Sequence, residues 1–108
     1  MFQKRGEGAY RQLLEGVYLK TVAYGEQTLM GRFRLVRGAV IPPHAHPHEQ
    51  IGTLISGCLR FTIGGETISA EAGDSWCIAG GVEHGVIVEE DSVVVEVFSP
   101  VREDYLPG

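Results

Sequence analysis

Three of the four histidines in this chain fall within five residues, in the run His44-Ala45-His46-Pro47-His48-Glu49-Gln50, and the fourth is His84. Neutral imidazole is the commonest metal ligand among side chains. Two imidazoles at i and i+2 project from the same face of an extended strand, roughly 7 Å apart along it. Both rings can therefore converge on one ion. Gln50 shares their parity and offers an amide oxygen, and the distant His84 can complete the set. The chemistry is that of a bound metal with positions left open for water or substrate. His48 has the same parity, but Pro47 bends the chain before it, so His48 is read as a neighbour of the site or a surface group.

These donors need rigid elements to hold them. The chain has 108 residues, enough for one core, and 44% of them are hydrophobic, which fits a folded domain. Fifteen glycines and five prolines imply many turns, and with abundant Val, Ile and Thr they point to an all-β architecture. Extended segments are expected at about 17–24, 28–37, 50–56, 58–63, 66–70, 75–79, 84–89 and 92–99. Turn signals separate them at Gly25, Gly38, Pro42-Pro43, Gly57, Gly64-Gly65, Gly73-Asp74, Gly80-Gly81 and Glu90-Asp91. Gly64-Gly65 predicts a tight hairpin, because such turns need positive φ. Residues 10–15 read as a short helical or irregular lead-in. The organisation expected is a lead-in over 1–16, a barrel or jelly roll over 17–99 and a tail over 100–108.

In the last segment Val93, Val95 and Val97 take one face, while Val94, Glu96 and Phe98 take the other. Both faces read as buried, one lining a cavity and the other meeting a second sheet or subunit, so a homodimer is expected. The formal charge of −5 argues against nucleic acid and requires any anionic substrate to be held by local charge. No apolar run is long enough to cross a membrane. Residues 1–15 mix Lys4, Arg5, Glu7, Arg11 and Glu15 with glycine, unlike a signal peptide, so the cytoplasm is expected. Cys58 and Cys77 form no Cys-x-x-Cys unit. They could pair, but buried free thiols are the expectation. Arg32, Arg34, Arg60 and Thr62 read as solvated strand positions, and Trp76, the sole tryptophan, as a packing residue.

The pattern resembles the cupin superfamily. The first cupin motif is matched by Gly38, His44, His46 and Gly57 in register, with Gln50 where Glu is usual. Gly73, Gly81 and His84 match the second motif, with Ala79 in place of Pro and Val88 in place of Asn. The resemblance spans roughly residues 20–100. It implies a small jelly-roll barrel holding a divalent transition metal (zinc, nickel, manganese, iron or copper) on His44, His46, Gln50 and His84. A neutral amide in place of a carboxylate leaves the site with close to the full charge of the ion, which favours Lewis-acid chemistry on an anionic ligand.

The tail Glu96 to Leu106 and the His-Ala-His-Pro-His-Glu-Gln run are similar to those of the pectin- and alginate-degradation cupins that linearise unsaturated uronates. In that group an acid, a Phe and an Arg face the metal. The pattern falls on Glu96, Phe98 and Arg102, with Glu96 where the group typically has Asp. The residues themselves agree. A carboxylate among valines is costly unless paired, and burial raises its pKa, so Glu96 is a general acid/base candidate. Arg102 can bind a substrate carboxylate through paired hydrogen bonds, and Phe98 can pack on a sugar ring. The plainer alternative makes Glu96 and Arg102 a structural ion pair and Phe98 core. The expected activity is ring opening and tautomerisation of a small anionic sugar. A metal-dependent dioxygenase or oxidoreductase and a non-catalytic metal- or sugar-binding cupin are the alternatives, and oxygen uptake separates the first of these from an isomerase.

Overall fold

The computed structural model describes residues 1–107; Gly108, the last residue of the expected tail, lies outside the described residues. Eight strands follow in chain order: β1 (Arg11–Leu14), β2 (Val17–Tyr24), β3 (Leu29–Leu35), β4 (Val40–His44), β5 (Glu49–Ile63), β6 (Glu66–Glu71), β7 (Ser75–Ile78) and β8 (His84–Ser99). A 3₁₀ turn, Glu103–Tyr105, comes after them, and no α-helix occurs among the described residues. The fold is all-β, as the turn-rich composition requires.

β5 and β8 pair antiparallel along their length, and each serves two sheets. The first part of β5 pairs with the last part of β8, from Glu49↔Ser99 to Ser56↔Val93. β3, β2 and β1 extend this sheet beyond β8, and β7 extends it beyond β5. The other halves pair from Cys58↔Glu90 to Ile63↔His84, with β6 added to β5 and β4 to β8. Leu19, Leu29, Leu54, Leu59, Val88 and Val94 fill the space between the sheets and are fully buried. Truncating any of these leucines to alanine would cost roughly 2–5 kcal/mol in transfer and cavity terms.

Three local expectations are corrected. Gly57 and Glu90-Asp91 lie inside β5 and β8, so each expected pair of strands is one long strand. At Gly57, φ is +103° and the β5–β8 register shifts on both sides, so the glycine bends a strand rather than ending it. A Cβ there would collide with Ser92 and the Asp91 carbonyl. Ser92 Oγ satisfies the irregular backbone, accepting from the Cys58 N–H at 3.1 Å and donating to the Glu90 carbonyl at 2.7 Å. Residues 11–14 of the lead-in are a strand, because they find an edge of β2 to pair with. Pro42-Pro43 lies within β4 instead of a turn. That strand pairs only with β8, so the missing N–H groups leave its bonded side little affected.

The inner face of β8 is buried at Val94 and Phe98, whereas Val93, Val95 and Val97 on the outer face are half-buried. Arg32 and Arg34 are exposed on β3, and Arg60 pairs with Glu89 at 3.7 Å on the outer surface. Both cysteines are free. Cys58 is half-buried, but Cys77 is exposed, contrary to expectation, because it takes the outward parity of β7.

Candidate metal centre

Strand ends deliver the donors to one place. β4 ends on His44 and β8 begins on His84, and their pairing sets these two residues directly opposite. His46 comes from the short connection to β5, and Gln50 is the second residue of β5. The His46 carbonyl accepts the Gly81 N–H at 2.8 Å, which ties this connection to the loop that precedes His84. Ring centroids are 4.4 Å apart for His44–His84, 4.9 Å for His46–His84 and 5.6 Å for His44–His46. The available ligand atoms of the three lie within 4.8 Å of one another. His84 and Gln50 are buried, and His44 is the most solvent-facing of the three histidines.

The hydrogen bonds orient every ring. His44 Nδ1 meets the Pro42 carbonyl at 2.9 Å, His46 Nδ1 the His48 carbonyl at 3.0 Å, and His84 Nδ1 the Val82 carbonyl at 2.9 Å. A carbonyl can only accept, so each Nδ1 carries the proton and each neutral ring keeps its lone pair on Nε2. Burial, helped by the Arg102 charge and the neighbouring His84, holds the His46 pKa below the usual imidazole range, although its bonds to Gln50 and the His48 carbonyl oppose this. Burial also lowers the His84 pKa, against the opposing effect of its bond to Val82, with the His44 and Arg102 charges adding to the burial. His48 stands outside this set with its ring 5.5 Å from His46, and it contributes its carbonyl.

Gln50 decides whether the donors fit a cation. Its Nε2 donates to Glu96 Oε2, which turns Oε1 toward His46 Nε2 at 2.8 Å. Two lone-pair-bearing atoms thus face each other with no proton between them when His46 is neutral. Neighbouring ligands on one ion, with bonds of about 2.1 Å, lie about 3 Å apart. Three converging imidazole nitrogens, with the Gln50 amide oxygen facing His46 Nε2, fit a divalent metal ion.

Glu96 lies beside this donor set on the inner face of β8. Burial pushes its pKa up to about 7, against the lowering effect of the Gln50 amide bonded to it and of the Arg102 charge. The ion pair between Glu96 and Arg102 is not formed. Arg102 instead engages Asp104, Nε to Oδ1 at 3.3 Å and Nη2 to Oδ2 at 2.8 Å. Its guanidinium lies 3.9 Å from the centroid of the Tyr105 ring and 5.2 Å from that of Phe98. Phe98 is only 2% exposed; it packs edge-on with Phe33 and Tyr105, and its centroid is 6.2 Å from that of His46. Its ring belongs to the core as much as to the cavity wall.

The sequence reading missed Tyr105 and Asp104. The 3₁₀ turn after Arg102, closed by the Tyr105 N–H on the Arg102 carbonyl at 2.9 Å, brings both back to the guanidinium. Hydrogen bonds from Arg11 to the Asp104 carbonyl and from Thr21 to the Tyr105 carbonyl fasten this tail to β1 and β2. An aromatic three residues after an arginine was the available signal. Burial raises the Tyr105 phenol pKa, and Asp104 and Glu96 add to this against the opposing Arg102 charge.

An inner cavity of about 60 Å³ is bounded by His44, Gln50, His84, Glu96, Phe98 and Arg102, among others. An outer cleft of about 390 Å³ shares His44, Arg102 and Tyr105 with it and is lined further out by Leu13, Pro43 and Asp104. The cleft is within the size range of small-molecule sites. A larger groove of about 540 Å³ between Leu14, Val36 and Val40 contains none of the convergent donors.

Residues 31–100 match the family model described as the Cupin domain. Over 102 residues the chain is 31% identical to the pectin degradation protein KdgF of Dickeya dadantii (strain 3937), covering 93% of each. Its structure is similar to that of KdgF from Halomonas sp., with a TM-score of 0.92 and 31% identity across 98% of both chains. An RmlC-like cupin from Shewanella frigidimarina NCIMB 400 has the same fold, with a TM-score of 0.93 and 23% identity over 97% of this chain and 95% of that one.

Proposed function

The chain belongs to the cupin family, and from that premise we propose that it converts cyclic 4,5-unsaturated uronates, the sugars left by polysaccharide or oligosaccharide lyases, into open-chain keto-deoxy uronates. The observation that carries this reading is the bridging amide of Gln50. One end faces His46 among the metal donors and the other hydrogen-bonds Glu96, so a cation site and a proton carrier share one residue. The similarity to a protein named for pectin degradation supports the substrate class.

In this mechanism the sugar ring occupies the outer cleft and its carboxylate engages Arg102, displacing the exposed Asp104 carboxylate. Glu96 takes the proton of the anomeric hydroxyl. The C1–O5 bond then breaks, C1 becomes an aldehyde, and the electron pair passes to O5, giving an enolate. Returning the proton to C4 yields the ketone at C5 and removes the ring double bond. Nothing is oxidised or reduced overall, and the proton that left oxygen ends on carbon. A metal on His44, His46, Gln50 and His84 would supply Lewis-acid stabilisation of the developing negative charge. Zinc, nickel, manganese, iron and copper all suit these donors.

The test follows loss of the ultraviolet absorbance of a 4,5-unsaturated monouronate with metal-loaded protein, chelator-treated protein and no protein, since these sugars also rearrange spontaneously. Metal-dependent acceleration is expected. A rate equal to the protein-free control would reject the reading, and oxygen uptake would then test the oxidoreductase alternative. Arg102→Ala should raise KM about tenfold to hundredfold, the loss expected for a charge-assisted pair, with a smaller change in kcat. A KM unchanged by this substitution would remove Arg102 from carboxylate binding.

A homodimer belongs to the same proposal. Half-buried Val93, Val95 and Val97, with exposed Ile51, Ile55 and Met30, give the outer face an apolar strip, bordered by Arg32 and Arg34, of the kind a second copy covers. The two free thiols support a reducing compartment such as the cytoplasm.

A further inference from the structure

Glu96 occupies an unusual place in its sheet. It is paired with Gly52 on β5 and with Gly31 on β3, so neither neighbouring position brings a side chain to its inner face. The space at Gly31 is filled by apolar groups, Leu19 Cδ1 and the Phe33 ring, which would lie 2.7 and 3.3 Å from an added Cβ. Trp76 fills the space at Gly52, where it is the register partner on the far side. Indole Nε1 would lie 2.5 Å from a Cβ at Gly52, closer than the carbon atoms Cε2 and Cζ2 at 2.6 and 2.8 Å. The polar edge of the indole therefore lies across the glycine, in the row that leads to Glu96.

Two further observations separate this arrangement from packing alone. Indole Nε1 is buried with no close hydrogen-bond partner, although buried donors are seldom left unused. The Trp76 ring stacks at a tilt against Phe61, with centroids 4.6 Å apart, which limits its freedom to turn the N–H elsewhere. Glu96 is the ionisable residue of the same row, and the hydrogen bond it receives comes from Gln50.

We propose that Trp76 is a positioning residue for Glu96: its indole N–H, admitted by the missing side chain at Gly52, directs the carboxylate that Gln50 holds from the metal side. The kinetic consequence rests on the uronate reading above, whereas the contact does not. With the indole N–H directed at it as well as the Gln50 amide, Glu96 keeps one geometry toward substrate. With Gln50 alone, it can rotate away from the anomeric oxygen.

Because Trp76 is the sole tryptophan, both arms of the test are site-specific without other changes. In a ¹⁵N–¹H spectrum of the full chain, recorded with and without zinc, the single indole cross-peak should move upfield in Glu96→Gln, as the indole N–H loses the carboxyl oxygen it is directed at. An unmoved or downfield-shifted peak would overturn the contact. In the second arm, biosynthetic replacement of tryptophan by benzothienylalanine exchanges the N–H for sulfur at nearly constant shape. It should lower kcat about tenfold to hundredfold, with KM, zinc content and Tm unchanged. Wild-type kcat in that protein would reduce Trp76 to a packing residue. If the unmodified chain has no uronate activity, the spectrum still decides the contact, so failure of the parent reading and failure of this one are distinguishable.

Discussion

Replacing His84 with alanine is expected to strip the metal and to return uronate turnover to its spontaneous rate. His84 is 4% exposed, lies directly opposite His44 and supplies one of three imidazoles whose lone pairs converge. Even a lost partner of a metal ligand typically costs 10–100-fold in affinity or activity, so loss of a ligand should exceed about 100-fold. The fold should tolerate the change. The hydrogen bond to the Val82 carbonyl is worth about 1 kcal/mol, and removing one of several crowded lone pairs partly offsets its loss in the metal-free protein. Metal content by mass spectrometry, with the absorbance assay on the same samples, reads both effects. Stoichiometric metal in His84→Ala would break the proposed donor set.

Glu96→Gln should separate binding from chemistry. The amide oxygen of the new side chain can still accept the Gln50 N–H, so Gln50 keeps its orientation and the metal should stay. The variant cannot take up a proton, and general acid–base catalysis typically contributes about 10²–10⁴-fold in rate. A fall in kcat of that order is expected, with metal content unchanged and KM little altered. The contrast with Arg102→Ala, which should act mainly on KM, tests the division of labour between the two residues. Wild-type turnover by Glu96→Gln would exclude it as the proton carrier.

The neighbours of Glu96 explain why its role could not be decided from the chain alone. Its position among valines makes a carboxylate costly, and an ion pair with Arg102 is the plainer alternative to an acid/base role. Arg102 instead turns to Asp104 and Tyr105, because the 3₁₀ turn and the docking of the tail on β1 and β2 bring those groups to it first. Glu96 is left with neutral donors, and its carboxyl stays poised near neutrality instead of locked in the charged form.

The all-β fold and the types of side chain available as donors were legible in the chain. Glycine and proline punctuation with β-branched segments dictated strands, and Gly64-Gly65 closes a hairpin between β5 and β6 as its positive-φ requirement demands. Parity placed Arg32, Arg34 and Arg60 outside, and spacing singled out His44, His46 and Gln50 as residues able to share an ion. The tertiary structure was needed to show that His84, forty positions beyond His44, faces it across a strand pair, that β5 and β8 continue through their apparent breaks, and that Trp76 lies across Gly52. The reason is physical. A two-residue period is a local property and says which face a side chain takes, whereas partner and register are chosen by the burial of whole strands against one another. The candidate donors could be read from the chain, but the strand pairing that gathers them could not.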